Sequence, residues 1–364
     1  MCSLLKSRKC LILIVAVSDP QEGSDHMKII KPYAEIMTSD FGVDPLRKIE
    51  LVGRTCYKST DKITDVSAIK FVANLIKAGH EAMLEHDSFC FMLPFDEWNW
   101  LKEKTSEMMT HLKENGEEFI SHLRFTNVNR CLVSGNIRAW RDFFKECTHQ
   151  IGFIPKFMQN FILSNPVLFP EFQDGVDFRT IFNDDIYQIS RKGLIGLTEF
   201  MIHCDVTAKF VVDRGISHEI VRHRPASFAQ ESTRYCNYSK DKFDEEITVI
   251  QPCFFEGNPY HGYSGGLLDI WEESCESAEY SYFKLLENGA TPEQARDVLP
   301  TSTKTEVIMT ATLGEWRHFF NLRACNSTGK AHPQMLEVAQ PLLTEFQKEF
   351  EDQKIFADMK MKKG

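Results

Sequence analysis

The sequence predicts an α/β (α+β) protein in which a mixed sheet is flanked by helices, and three observations carry that expectation. Residues 206–213 (VTAKFVVD) place Val206, Ala208, Phe210 and Val212 on one face, the period of a half-buried strand. Other segments, such as 267–286, hold no such alternation and are punctuated as helices by Asn288-Gly289 and similar stops. The 364 residues are 43% hydrophobic and 26% charged, ample for a substantial core.

Taken in order, residues 1–26 read as a disordered or artefactual extension. Lys6, Arg8 and Lys9 precede the apolar run 10–17, but that run is short, no convincing cleavage site follows, and it is too short to span a membrane. Residues 27–364 are expected to form a single catalytic domain. Its opening, 27–59, reads as strand-rich and ends in GRTCYKS. Asp65 then caps a helix with Ile69, Val72, Ala73 and Ile76 on one face, stopped by Gly79. A loop with His80, Glu85 and His86 leads to a strand from Phe89. Residues 96–198 read as a mostly helical insertion, with amphipathic helices over 96–116 and 136–147 and breaks at Pro155, Pro166 and Pro170. After the 206–213 strand, a helix over Gly215–Val221 is expected to bring in a cluster of arginines. A long helix over Leu267–Leu286 follows, then Thr291-Pro292-Glu293-Gln294, which has a capping-box pattern with proline at the first helical position. A strand over Glu306–Thr312, a helix over Glu315–Arg323 and a last helix from Pro333 complete the chain.

The formal net charge of −10 argues against binding nucleic acid or anionic membrane without specificity, while leaving room for a local cationic cleft. Eleven cysteines, an odd number with no CxxC pair, argue against a disulfide framework or zinc ribbon and fit reduced thiols in the cytoplasm. No GxGxxG follows a strand, and STGKAH lacks the glycine and hydroxyl of a P-loop, so any dinucleotide binds without a Rossmann turn or P-loop.

The chemistry concentrates in IVRHRPASFAQESTRYCNYS. Arg222 and Arg224 bracket His223, and Ser227, Gln230, Glu231, Ser232, Arg234 and Tyr235 follow within a few residues. Guanidinium matches phosphate oxygens bidentately and keeps its charge when partly desolvated, so this is a plausible pocket for a phosphorylated ligand. The plain alternative is a solvated basic helix face. His80, Glu85 and His86 form a second cluster. A zinc protease would need HExxH, and Leu84 stands four beyond His80, so a metal-dependent hydrolase built on these three is a weaker reading and no metal is expected.

Arg-His-Arg, seven residues and then Ser232, running on through Arg-Tyr, resembles the signature of the flavin-dependent thymidylate synthases. GRTCYKS and GHEAMLEH are similar to two earlier segments of that family, with Ala82 where a hydroxyl is usual. The resemblance implies a largely antiparallel sheet and FAD held between subunits of a homotetramer. It also implies dUMP as substrate, with methylenetetrahydrofolate and NADPH as co-substrates and dTMP as product. Carried over by position, His80, Glu85, Arg222, His223, Arg224 and His318 would contact FAD. Glu219, Gln230, Glu231, Ser232, Arg234, Arg296 and Arg323 would line the dUMP site, Arg323 near the uracil. Ser232 and Arg323 are the candidates for the chemistry itself; Ser232 lacks a free base beside it, so a positioning role is expected, with Arg323 polarising the ring.

Three departures stand out. Glu219 replaces a glutamine, the string TLGEWRHFF has Thr312 and Gly314 where the family shows Asn-x-Arg, and NLRACNSTGKAHPQM lacks the family's usual ending. SGNIRAWRDFF (134–144) repeats the missing pattern elsewhere, so Asn136 and Arg138 are candidate substitute FAD ligands, chance likeness being the alternative. A catalytically silent nucleotide- or flavin-binding homologue is the alternative function.

Overall fold

The computed structural model describes residues 27–38, 44–117, 122–180, 187–234, 238, 246–255 and 266–361. The 1–26 extension and Tyr235 lie outside them. Two strands open the described chain, β1 (Lys28–Ile30) and β2 (Tyr33–Thr38). Helix α1 (Pro45–Cys56) then replaces the strand-rich opening expected up to residue 59. Asp44 accepts the Arg47 amide at 3.2 Å and Pro45 occupies the first turn, so local capping fixes a helix that composition concealed. Helix α2 (Ser67–Lys77) starts after Val66 and buries Ala68, Val72 and Leu75, leaving Ile69 and Ala73 exposed, so its inner face is turned from the one expected. Gly79, at φ +72°, closes it as expected, with the His80 amide on Leu75 O at 2.9 Å. His80, Glu85 and His86 lie at or within a short 3-10 turn, Glu81–His86, rather than an open loop.

The next stretch is less helical than expected. Strand β3 (Ser88–Met92) and helix α3 (Phe95–Glu114) are followed by β4 (Arg124–Thr126), β5 (Leu132–Asn136) and α4 (Ile137–Glu146). Short pieces then run through β6 (Ile154–Pro155), α5 (Gln159–Leu163), β7 (Phe178–Arg179) and β8 (Tyr187–Gln188) to α6 (Gly196–His203). The remaining order is β9 (Asp205–Asp213), α7 (Arg214–Ile220), β10 (Ser227–Gln230), β11 (Thr248–Ile250), α8 (Leu267–Glu287) and α9 (Pro292–Ala295). Strand β12 (Lys304–Thr312), α10 (Leu313–Arg323) and α11 (Pro333–Glu349) end it.

Two four-stranded antiparallel sheets organise these elements, in the orders β10-β12-β9-β2 and β4-β5-β3-β8. Two parallel pairs, β1-β11 and β6-β7, are minor additions, so the fold is mixed and largely antiparallel. The longest ladder runs from Asp205 opposite Thr312 to Asp213 opposite Lys304. Both faces of β9 are buried, since helices cover the sheet, so Thr207 and Val211 join the predicted alternating set. Trp316 and Phe346, 4.9 Å apart, anchor one core between α10 and α11. Trp140, Phe143 and Phe144 anchor a second core under the other sheet. Aromatic side chains of this size contribute about 1.5–3 kcal/mol each on burial, enough to make each strand-to-helix junction rigid.

Candidate active site

The arginine triplet is delivered by a short, firmly started helix. Asp213, last residue of β9, accepts the Ile216 amide at 2.8 Å and begins α7, which ends at Ile220. The triplet that follows divides its side chains. His223 is buried, its ring edge-on to Phe319 at 4.9 Å and 6.2 Å from His318. Its Nε2 accepts a hydrogen bond from Arg323 Nε at 3.2 Å, which requires the neutral ring with the proton on Nδ1. Burial, then the charges of Arg323 and His318, push the His223 pKa down to about 4. Arg323 also donates to the Glu219 carboxylate at 2.7 Å. The carboxylate that departs from the family pattern thus has a basic partner.

Arg222 and Arg224 are exposed and have no carboxylate partner among the described residues. Arg224 lines a cleft of about 630 Å³, within the ordinary size range of small-molecule sites, roughly 300–1,000 Å³. Glu85, Asn136, Thr312 and Gly314 line the same cleft. Arg138 stands beside it, donating to Glu85 at 2.8 Å, and Ser227 donates to the other Glu85 oxygen at 3.1 Å. Asn136 caps α4 by accepting the Ala139 amide at 2.8 Å. Of the predicted cofactor set, the structure therefore brings Glu85, Asn136, Arg138 and Arg224 together. His80 is exposed and Arg222 is not a lining residue; His223 and His318 belong to the neighbouring Arg323 cluster. His80, Glu85 and His86 do not share a focus: His86 is fully buried, its Nδ1 2.8 Å from Thr310 Oγ1. Burial, then the Lys48 charge, hold its pKa down near 3. No group of three or more metal-ligating side chains converges among the described residues.

The predicted substrate residues gather at the other end of β10 and β12. Gln230 donates to Ser217 at 3.0 Å and to Thr305 at 3.2 Å. Arg296 reaches Thr233 Oγ1 at 3.3 Å, and Arg234 forms a half-exposed pair with Glu293 at 2.9 Å. Ser232 Oγ accepts the Arg234 amide at 3.3 Å and, among the described residues, has no imidazole or carboxylate partner. Glu231 is buried against Lys304 at 3.1 Å, and Lys304 and Lys58 both hold Glu306. Burial would raise the Glu306 pKa, but the two ammonium groups outweigh it and bring it to about 2.

Sequence reasoning missed this Lys58–Lys304–Glu231–Glu306 cluster and the Arg124–Asp205 pair. Arg124 grips buried Asp205 with two bonds of 2.7 and 2.6 Å, and Ser88 donates to the same carboxylate. Both Arg124 and Asp205 line the cleft. Partners so far apart in the chain leave no local spacing to read.

The profile of the family described as "Thymidylate synthase complementing protein" matches residues 190–351. A flavin-dependent thymidylate synthase of Thermococcus kodakarensis is 34% identical over 135 residues, 37% of this chain and 51% of the relative. The enzyme of that name from Sulfurisphaera tokodaii is 33% identical over 137 residues, 38% of this chain and 48% of the relative. That from Geobacter sulfurreducens is 29% identical over 146 residues, 40% and 56% respectively. The chain thus spans about half the length of the curated relatives it matches. Among the described residues, no helix is long and apolar enough to cross a membrane.

Proposed function

We propose, on the premise that this chain belongs to the flavin-dependent thymidylate synthase family, that it methylates dUMP reductively to dTMP. The observation that carries the proposal is the pair Arg222 and Arg224, two exposed guanidiniums without a carboxylate partner among the described residues, one of them lining a cleft. Protein charges left unpaired beside a cleft are suited to an anionic ligand.

The residues present fit FAD. The cleft is large enough, Arg224 offers donors to a pyrophosphate, and Arg138 Nε, 4.0 Å from the Asp142 carboxylate, is shut from water without a hydrogen bond among the described residues. Bound FAD, reduced by NADPH, would supply the hydride, and methylenetetrahydrofolate the one-carbon unit. The chain's own part is to hold and orient. Arg296 and Arg234 would fix the dUMP phosphate while Gln230 and Ser232 offer neutral hydrogen bonds, and such orientation supplies much of the rate of a transfer reaction. Arg323, exchanging its Glu219 contact for the uracil, would stabilise charge developing on the ring. Neutral His223 keeps that guanidinium in place through its Nε2. The reading extends to a homotetramer in the cytoplasm.

A silent nucleotide- or flavin-binding homologue is the second reading. It is favoured by Arg323 being engaged by both Glu219 and His223. Purified protein separates the two. A flavin spectrum that bleaches with NADPH, with dTMP formed from dUMP and the folate, supports the synthase. Bound flavin that bleaches without yielding dTMP, or does not bleach, supports the silent homologue.

A further inference from the structure

The two four-stranded sheets repeat one another residue by residue. In one, β3 pairs with β5 so that Ser88 faces Asn136, and β5 runs directly into α4. In the other, β9 pairs with β12 so that Asp205 faces Thr312, and β12 runs directly into α10. Asn136 caps its helix through the Ala139 amide and Thr312 through the Glu315 amide. The Ile137 amide bonds Asp87 O at 3.0 Å, and the Leu313 amide bonds Cys204 O at 2.9 Å. Trp140 Nε1 donates to Phe89 O at 3.4 Å, and Trp316 Nε1 to Val206 O at 3.0 Å. The third strands agree as well: Arg124 of β4 faces Ser134, and Ser227 of β10 faces Thr310. SGNIRAWRDFF and TATLGEWRHFF are then the same junction written twice, with Trp, Arg and the two Phe kept in place.

The halves also contact each other reciprocally. His86 of the first bonds Thr310 of the second at 2.8 Å, and His203 of the second bonds Ser134 of the first at 2.7 Å. Ser88 and Asp205, equivalent to one another, touch directly. Contacts in which i meets j and j meets i are the mark of a two-fold relation, here between two parts of one chain. The cleft straddles that axis, so equivalent positions confront each other across it.

The two faces of the cleft are not equal. On one side Arg138 of the first half and Ser227 of the second both bond Glu85, which lines the cleft together with Ser227 and Arg224. On the opposite face the equivalents of Glu85 and Arg138 are Ile202 and Gly314. A Cβ at Gly314 would lie 3.0 Å from Met201 O, a contact that α6 would have to relieve by a few tenths of an ångström, and no guanidinium stands at this step of the second half. Arg138 thus has no cationic counterpart in the second half, where position 314 is glycine.

We propose that the chain is a fused pair of homologous halves with one composite dinucleotide site, built from Arg138 of the first half and Arg224 of the second, while the equivalent opposite face lacks the arginine of the first. The identity of the dinucleotide as a flavin rests on the function proposed above; the composite, single site does not. The test is equilibrium titration of the full-length protein with FAD and, separately, with ADP as a pyrophosphate probe. The same titrations are run on Arg138→Gln and on Arg224→Gln, whose exposed position leaves folding untouched. Circular dichroism checks both variants. The expected result is one equivalent of ligand per chain, with affinity lowered at least tenfold in either variant. Loss of ADP binding in both variants by a protein that never binds FAD keeps the composite site and removes the flavin reading. Two equivalents per chain, or FAD binding sensitive to Arg224→Gln and untouched by Arg138→Gln in a folded protein, overturns the composite site and leaves the flavin reading standing. Binding of neither probe removes both.

Discussion

Arg124→Ala is expected to destabilise the fold severely and to reverse part of its pH dependence. Asp205 is 5% exposed, and two hydrogen bonds of 2.7 and 2.6 Å from Arg124 hold its carboxylate. Removing one partner of a buried ion pair leaves an uncompensated charge and typically costs about 3–5 kcal/mol. The Ser88 hydroxyl remains as a donor, so the lower end of that range is expected. The sign against pH follows from the same contacts. Burial alone raises the Asp205 pKa, and Arg124, with help from Ser88, overrides it to a value below normal. In the wild-type protein this carboxylate contributes stability above its unfolded pKa, lost as pH falls through the folded one. In the variant burial prevails, the folded pKa lies above the unfolded one, and Asp205 destabilises as pH rises through that value. Urea titrations at pH 5 and pH 7 should therefore show a larger deficit at pH 7. Arg124→Ala/Asp205→Asn should recover much of the loss, because the second change removes the orphaned charge. A deficit under about 0.5 kcal/mol, the range of ordinary surface changes, or one equal at both pH values refutes the argument.

Other outcomes are as specific. Arg234→Ala should weaken dUMP binding by about 1.5–3 kcal/mol while flavin stays bound, measured by titration of the folded variant, since it removes a charge-assisted contact. Ser232→Ala should still form dTMP, losing roughly 0.5–1.5 kcal/mol of substrate affinity. Abolished turnover with both ligands bound would instead make Ser232 a nucleophile. Acid should destabilise the protein between about pH 6.5 and pH 4 through its buried imidazoles. The unfolded chain takes protons near the ordinary histidine value, whereas His86 is held to about 3, and His203 and His223 to about 4, mainly by burial. Stability that rises steadily with pH across that window in denaturant melts supports this; a flat profile does not.

How much of this was legible in the sequence depended on distance along the chain. Arg222, His223 and Arg224 are consecutive, so the motif could be seen whole, whereas the Asp213 cap of the preceding helix and the Phe319 ring against His223 came only from the structure. Helix α1 was missed although Asp44-Pro45 announces it, because the strand-forming residues after Met27 outweighed a local cap. The Arg124–Asp205 pair and the Lys58–Glu306 contact were out of reach, since sheet pairing brings together residues that no sequence window spans. The segment 96–198 read as helical because α3 and α4 are long and amphipathic, while β4 has only three residues and β5 five.

The two departures at 312 and 314 looked alike in the sequence and are physically different. Thr312 does the same backbone work as Asn136: its oxygen accepts the amide three residues on, so the helix starts equally well with either side chain. Threonine for asparagine at a cap costs little, and the junction of β12 with α10 is intact. At Gly314 the difference is of a guanidinium, and a side chain there would press on Met201 O, 3.0 Å from its Cβ, so that α6 would have to give by a few tenths of an ångström. On the function proposed above, that charge comes from elsewhere in the fold. Arg138 occupies the equivalent step of the other half, where Glu85 and Ser227 rather than a helix backbone lie in front of it, and a side chain has room to stand.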